Sequence, residues 1–198
     1  MRAHIDTEQY LTQLSHNVPS FAFTVVRQGL YSESYPLYTA FFDPKNPFKE
    51  IKIPHDGSGP GIAWVKREEL GEGNAQLVKW FLNNPSGFKY RDSTVLLSGQ
   101  KTLTLAETVA ILSEIANAPA KIKNVSVEEY AKQPQNAQAL TYKGYDYSTL
   151  WASAFQAFKK GEGSYVSPLL KELLGRQPEE FRTTISNHQS ISRGQFGA

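Results

Sequence analysis

Apolar and polar positions alternate in blocks along this chain, and one block organises the others. In residues 21–35, FAFTVVRQGLYSESY, an apolar β-branched run ends at a glycine and passes into a cluster of hydroxyls. Such a run, preceded by a helical pattern and closed by a turn signal, has the form of a buried parallel strand, expected over residues 21–27. In parallel α/β sheets chemistry gathers beyond the carboxyl ends of the strands, so residues 28–34 form the first candidate region.

Upstream, Ala3, Thr7, Tyr10, Leu11 and Leu14 recur at helical spacing and predict a helix over 3–15 with one buried stripe, closed by Asn17, Pro19 and Ser20. Residues 35–42 are helix-compatible, and Pro44 and Pro47 break them. Short strands are predicted at 51–53 and 62–65, joined by a glycine-rich hairpin loop. A helix over 67–83 follows, with Leu77, Val78, Phe81 and Leu82 on one side and Gly71 and Gly73 weakening its first turns.

Residues 94–97 are a second buried-strand candidate. Thr104 and Glu107 form a capping box for a helix carrying Leu105, Val109, Leu112 and Ala116, and Ser126 and Glu129 repeat the signature after a short strand at 122–125. Residues 133–147 are polar and turn-rich and read as loop. Leu150, Trp151, Ala154, Phe155 and Phe158 mark an amphipathic helix; residues 168–174 form a short one stopped by Gly175, and a last one starts near Pro178. Residues 190–198 are expected as a disordered tail. Strand and helix in repeated succession argue an α/β fold.

Composition narrows the function classes. A chain of 198 residues, 40% hydrophobic, is long enough for one core. A net charge of +2, with Lys and Arg dispersed, gives no electrostatic footprint for nucleic acid. The absence of cysteine excludes disulfides and a thiol nucleophile. No apolar run spans a bilayer and no secretory leader is legible, so no membrane partner and a cytoplasmic location are expected.

Several segments carry a family resemblance. Residues 4–11 (HIDTEQYL), 24–35 (TVVRQGLYSESY), Asp56 with Gly57, 62–70 (IAWVKREEL), 97–99 (LSG) with 103–107 (LTLAE), and 174–178 (LGRQP) occur in this order. Through them the chain resembles the atypical short-chain dehydrogenase/reductases of the NmrA-like and quinone-oxidoreductase-like type, over the back half of that family's chain. The resemblance implies the C-terminal portion of a Rossmann-type parallel sheet with a small helical and short-strand substrate-side subdomain, spanning residues 1–189.

The family's strand, glycine-rich turn and helix, which hold the dinucleotide pyrophosphate, have no counterpart before His4. The strand at 21–27 should therefore leave an apolar edge exposed. Implied for the full-length form is hydride transfer from NADP or NAD to a small-molecule carbonyl or quinone. The alternatives are a non-catalytic NAD(P)-sensing protein acting on a protein partner, and an inactive truncated fragment.

Candidate residues follow from the same register. By resemblance His4 takes the place of the family's lysine, near the nicotinamide ribose, while the companion tyrosine falls before Met1; the other reading of His4 and Glu8 is a solvated i, i+4 pair. Gln28, Gly29, Leu30 and Tyr31 are implied to pass under the nicotinamide, with Gly29 permitting close approach and Tyr31 walling the pocket; in the alternative they only turn and pack the chain. Ser32, Ser34, Tyr35 and Tyr38 place hydroxyls over an aromatic floor suited to a small carbonyl, or form a half-buried helix start. The glycines of residues 57–61 lack the strand before and helix after that a phosphate cradle needs. His4, Asp6 and Glu8 do not share a helix face, which argues against a metal site. Trp64, Trp80 and Trp151 lie in apolar patterns and read as core.

Overall fold

The alternating blocks fold as α/β. The computed structural model describes residues 2–187; the tail expected at 190–198 lies outside them. The chain runs α1 (Arg2–Asn17), β1 (Thr24–Gln28), a 3-10 helix (Ser32–Tyr38), β2 (Glu50–Ile53), α2 (Arg67–Asn83), β3 (Ser93–Leu97), α3 (Leu105–Ala116), β4 (Lys121–Asn124), α4 (Val127–Ala131) and α5 (Pro134–Ala139). It continues with β5 (Thr141–Tyr142), β6 (Tyr145–Asp146), α6 (Ser148–Trp151), α7 (Ser153–Lys159), α8 (Leu169–Leu174) and α9 (Phe181–Asn187).

Strands pair as β1–β3 and β2–β4, both parallel, and as the antiparallel hairpin β5–β6. In β1–β3 the register sets Thr24 against Ser93 and Gln28 against Leu97, so the carboxyl ends of both strands coincide. Single bridges tie Tyr31 to Val65 and Ile62 to Leu103, stitching the segment before α2 to both halves. Among the described residues the other edge of β1 has no strand partner.

Two apolar cores result. One gathers Val65, Leu70, Leu77, Val95, Leu97, Leu169, Leu170 and Leu173, where α2 and α8 cover β3. Gly73 makes this possible: a Cβ there would stand 2.8 Å from Leu170 Cδ1, so a residue that weakens the helix locally permits its close packing. The other core surrounds β2 with Tyr38, Phe42, Trp64, Leu112, Tyr130, Phe155 and Phe158.

Several expectations need correction. The stripe on α1 is not buried: Ala3 and Thr7 are exposed, Tyr10 is 62% exposed, and Leu11 and Leu14 are half-buried. β1 starts at Thr24 rather than Phe21, because Phe21 N–H closes a turn onto Val18 O and Phe23 N–H bonds the Asp92 side chain. The helix expected over 35–42 is a 3-10 turn that starts earlier and ends where Ala40 and Phe41 adopt positive φ. Residues 62–65 make only single bridges, and β2 pairs with β4, so the glycine loop between them does not close a hairpin. The presumed loop at 133–147 holds α5 and β5–β6, whose turn places Lys143 and Gly144 at positive φ.

Candidate functional site

The aligned carboxyl ends of β1 and β3 build the candidate site. Gly29 N–H donates to Leu97 O at 2.7 Å, and a Cβ on Gly29 would meet Leu97 O, Ser98 Cα and Val65 Cγ1 each at 3.2 Å. A side chain here would force these neighbours to give by a few tenths of an ångström, so the glycine serves close approach of protein to protein. Across from it, Gly99 would place a Cβ 1.9 Å from Trp64 O, so the chain crossing here admits no side chain.

Beyond Gly29 the backbone pairs with the segment leading into α2. Val65 N–H donates to Leu30 O at 3.0 Å and Ser32 N–H to Val65 O at 2.8 Å. The amides of Leu30 and Tyr31 donate to no group among the described residues. The Tyr31 phenol donates to Gln28 Oε1 at 2.8 Å, and its ring packs against the core of α2, α8 and β3. Gln28, Gly29, Leu30 and Tyr31 are therefore neighbours, with Gln28 exposed and the others half-buried.

Ser32, Ser34, Tyr35 and Tyr38 are buried, the two tyrosines within the aromatic core around β2. Ser34 Oγ donates to Tyr31 O at 2.7 Å, while Ser32 Oγ is buried without a partner among the described residues. Tyr38 packs on Trp64, Trp151 and Phe158, and Tyr35 meets Phe181 edge-on. Burial pushes the Tyr38 phenol up to about 12 and raises that of Tyr35 further, Asp43 adding to the effect.

His4 sits on an exposed face of α1. The partner expected for it, Glu8, instead receives Arg27 of β1, Nε and Nη2 both donating at 2.9 Å. Asp6 is exposed on the same helix, and among the described residues no three His, Cys, Asp or Glu side chains gather to hold a metal ion. No helix among them is long and apolar enough to cross a membrane.

Two features escaped sequence reasoning. Glu33, within the hydroxyl run, is 4% exposed and accepts Arg67 N–H at 3.2 Å on each carboxylate oxygen. The second is a charged cleft of about 410 Å³ lined by Lys66, Glu68, Glu69, Glu72, Arg176, Gln177 and Glu179. There Arg176 donates to the buried Glu69 and, at 2.7 Å, to Glu72, while Glu69 also accepts Glu179 N–H at 2.8 Å and Lys66 pairs with Glu68 and Glu179 at 3.3 Å. These pairs fasten the segment after α8 onto α2. The signal for Glu33 was a lone carboxylate among hydroxyls, opposite a helix whose N-cap residue, Lys66, has no capping side chain.

Comparison with known proteins agrees with this architecture. No family model matches the chain. It is 29% identical over 178 residues to an NmrA-like family domain-containing oxidoreductase of Aspergillus flavus, covering 89% of this chain and 52% of that protein. Among solved structures, the NADPH-dependent quinone oxidoreductase of Escherichia coli superposes with a TM-score of 0.66 at 22% identity, over 93% of this chain and 60% of that one. The Citrobacter sp. triphenylmethane reductase complexed with NADP(H) gives 0.63 at 21% identity, over 89% and 56%. The chain is thus a homologue of an NmrA-like oxidoreductase with a Rossmann-like α/β fold, and it spans about half the length of the curated relative it matches, 52%.

Proposed function

We propose that this chain forms the substrate-side half of an NAD(P)-dependent reductase acting on a small carbonyl or quinone. The carrying observation is the pair of amides at Leu30 and Tyr31, adjacent donors with no acceptor among the described residues, at the carboxyl end of a parallel strand. Leu30 and Tyr31 are half-buried, so their amides are open to an acceptor from solvent or from a ligand, and a carboxamide oxygen is a suitable one. Gln28 and the Tyr31 ring flank the same place, giving a polar edge and an apolar wall. A bound nicotinamide would supply the hydride; this chain's part is to orient the ring and keep water from one face.

The pyrophosphate needs a glycine-rich turn at a helix N-terminus, and the edge of β1 that has no strand partner among the described residues is where a strand bringing one would add. The A. flavus relative is an oxidoreductase, the E. coli neighbour an NADPH-dependent quinone oxidoreductase, and the Citrobacter neighbour binds NADP(H), which supports this class of cofactor and substrate.

A second reading, a dinucleotide sensor without catalysis, draws on His4, an exposed histidine where the resemblance expects the family's lysine.

Titration of the isotope-labelled chain with NADPH tests the first step. Shifts centred on the Leu30 and Tyr31 amides are expected, with an affinity weaker than roughly 1 mM for a site lacking its pyrophosphate cradle. Shifts confined to other regions, or none at saturation, would sink the proposal. Co-expression with a dinucleotide-binding half then separates the readings: NADPH consumption with a small quinone supports the reductase, and binding without consumption the sensor.

A further inference from the structure

We propose that Glu33 is a positioning residue that clamps the Leu30–Tyr31 amides in register, and the inference rests on the functional reading above. α2 begins without a local cap: Lys66 at its N-cap is extended, φ −68 and ψ 129, and offers no side-chain acceptor. The first orphan amide of the helix, Arg67 N–H, is satisfied instead by a carboxylate 34 residues upstream, both oxygens at 3.2 Å. A negative group at a helix N-terminus also meets the positive end of the helix dipole.

Glu33 extends a ladder already formed by Val65 N–H to Leu30 O and Ser32 N–H to Val65 O. Each bond ties a residue of the strand-end segment to one just before or at the start of α2. Glu33 closes that ladder on the rigid element, because α2 runs for 17 residues and packs on α8. The free amides lie inside the ladder, between Gly29, pinned to Leu97 O at 2.7 Å, and Ser32. Their direction is therefore set at one end by β3 and at the other by the α2 terminus. Releasing Glu33 would remove the last rung, the one on α2 itself, and loosen the second end while leaving the β1–β3 pairing and the two Val65 bonds in place.

The proposal separates from simple stabilisation by where the effect appears. In Glu33→Ala, amide exchange of residues 30–34 and of Arg67 is expected to quicken about tenfold, the loss of one cap, while Val26 and Val95 keep their rates. Glu33→Gln, which keeps an acceptor of the same length, should recover most of the protection. The NADPH-induced shifts at Leu30 and Tyr31 should need about tenfold more ligand in Glu33→Ala, and near-parental amounts in Glu33→Gln. Unchanged exchange at 30–34, or a uniform rise across β1, β3 and α2, would overturn the clamp. If the parent chain shows no NADPH-dependent shifts, the functional reading falls, and the exchange pattern still decides whether Glu33 holds the loop.

Discussion

The β1–β3 and β2–β4 pairs have the same topology, two parallel strands each, and very different surroundings. Ile51 and Ile53 of β2 are completely buried, beneath a cluster in which Tyr130 and Phe155 meet with ring centroids 5.5 Å apart. Val25 and Val26 of β1 are only half-buried, and one edge of that strand is bare among the described residues. A parallel strand is ordinarily covered on both faces and paired on both edges, because its crossover connections bring helices to each side. The β2 layer closes on its own aromatic core. The β1 layer has α2 and α8 on one side and places its free amides at the open end, so the candidate site sits where the fold is least self-sufficient.

The sharpest way to break this contrast is to remove equal kinds of packing from both layers. Phe155→Ala should cost about 3–5 kcal/mol, as befits a fully buried ring in contact with Tyr130 and Phe158. Val26→Ala should cost about 1 kcal/mol, since part of its surface is already wet. Urea denaturation followed by circular dichroism measures both. Similar losses at the two positions would mean that β1 is as well covered as β2.

The same contrast governs what could be read beforehand. α2, the Thr104 capping box and the αL stop at Gly175 were legible because each depends on neighbours within a turn or two. Residues 28–31 were legible as a strand end through the close of the apolar run, and they stand as a candidate site through the family resemblance. Burial was the weak point. Periodicity in α1 shows where a hydrophobic face would lie, not whether anything covers it, and Tyr10 stays exposed. The hairpin β5–β6 was hidden because Lys143 occupies a positive-φ turn position usually given to Asn, Asp or Gly. Glu33 was the harder case: a lone carboxylate among hydroxyls marks it, but its partner lies in a distant element, 34 residues away, and the local pattern does not name that partner.

A smaller effect should appear with pH in the β2 layer. His55 is 2% exposed, and its Nδ1 accepts Gly57 N–H at 2.9 Å, so the neutral ring carries its proton on Nε2. Burial pushes its pKa below the ordinary 6.5, with Asp56 pulling the other way and Lys159 adding to the depression. The unfolded chain therefore binds this proton more readily than the folded one. Stability from His55 is complete above about 6.5 and declines as pH falls from there toward the lowered folded value. Denaturation midpoints between pH 8 and 5 should drop, and His55→Gln should flatten that part of the profile. An unchanged slope would show that the ring is protonated as easily inside as outside.

The smallest effect is expected at the outer boundary of the β1 layer. Arg27 and Glu8 join at 2.9 Å with side chains 55% and 22% exposed, a geometry in which an ion pair contributes under about 1 kcal/mol. α1 is 16 residues long, near the length at which an isolated helix is marginal in water. Arg27→Ala should therefore leave the denaturation midpoint almost unmoved while amides of α1 exchange faster, an effect that added salt should mimic by screening the pair. A loss above about 2 kcal/mol would exceed what an exposed pair supplies. It would mean that α1 is packed into the β1 layer as firmly as α2, and the bare flank of the strand would then be covered by helix rather than open to a further strand.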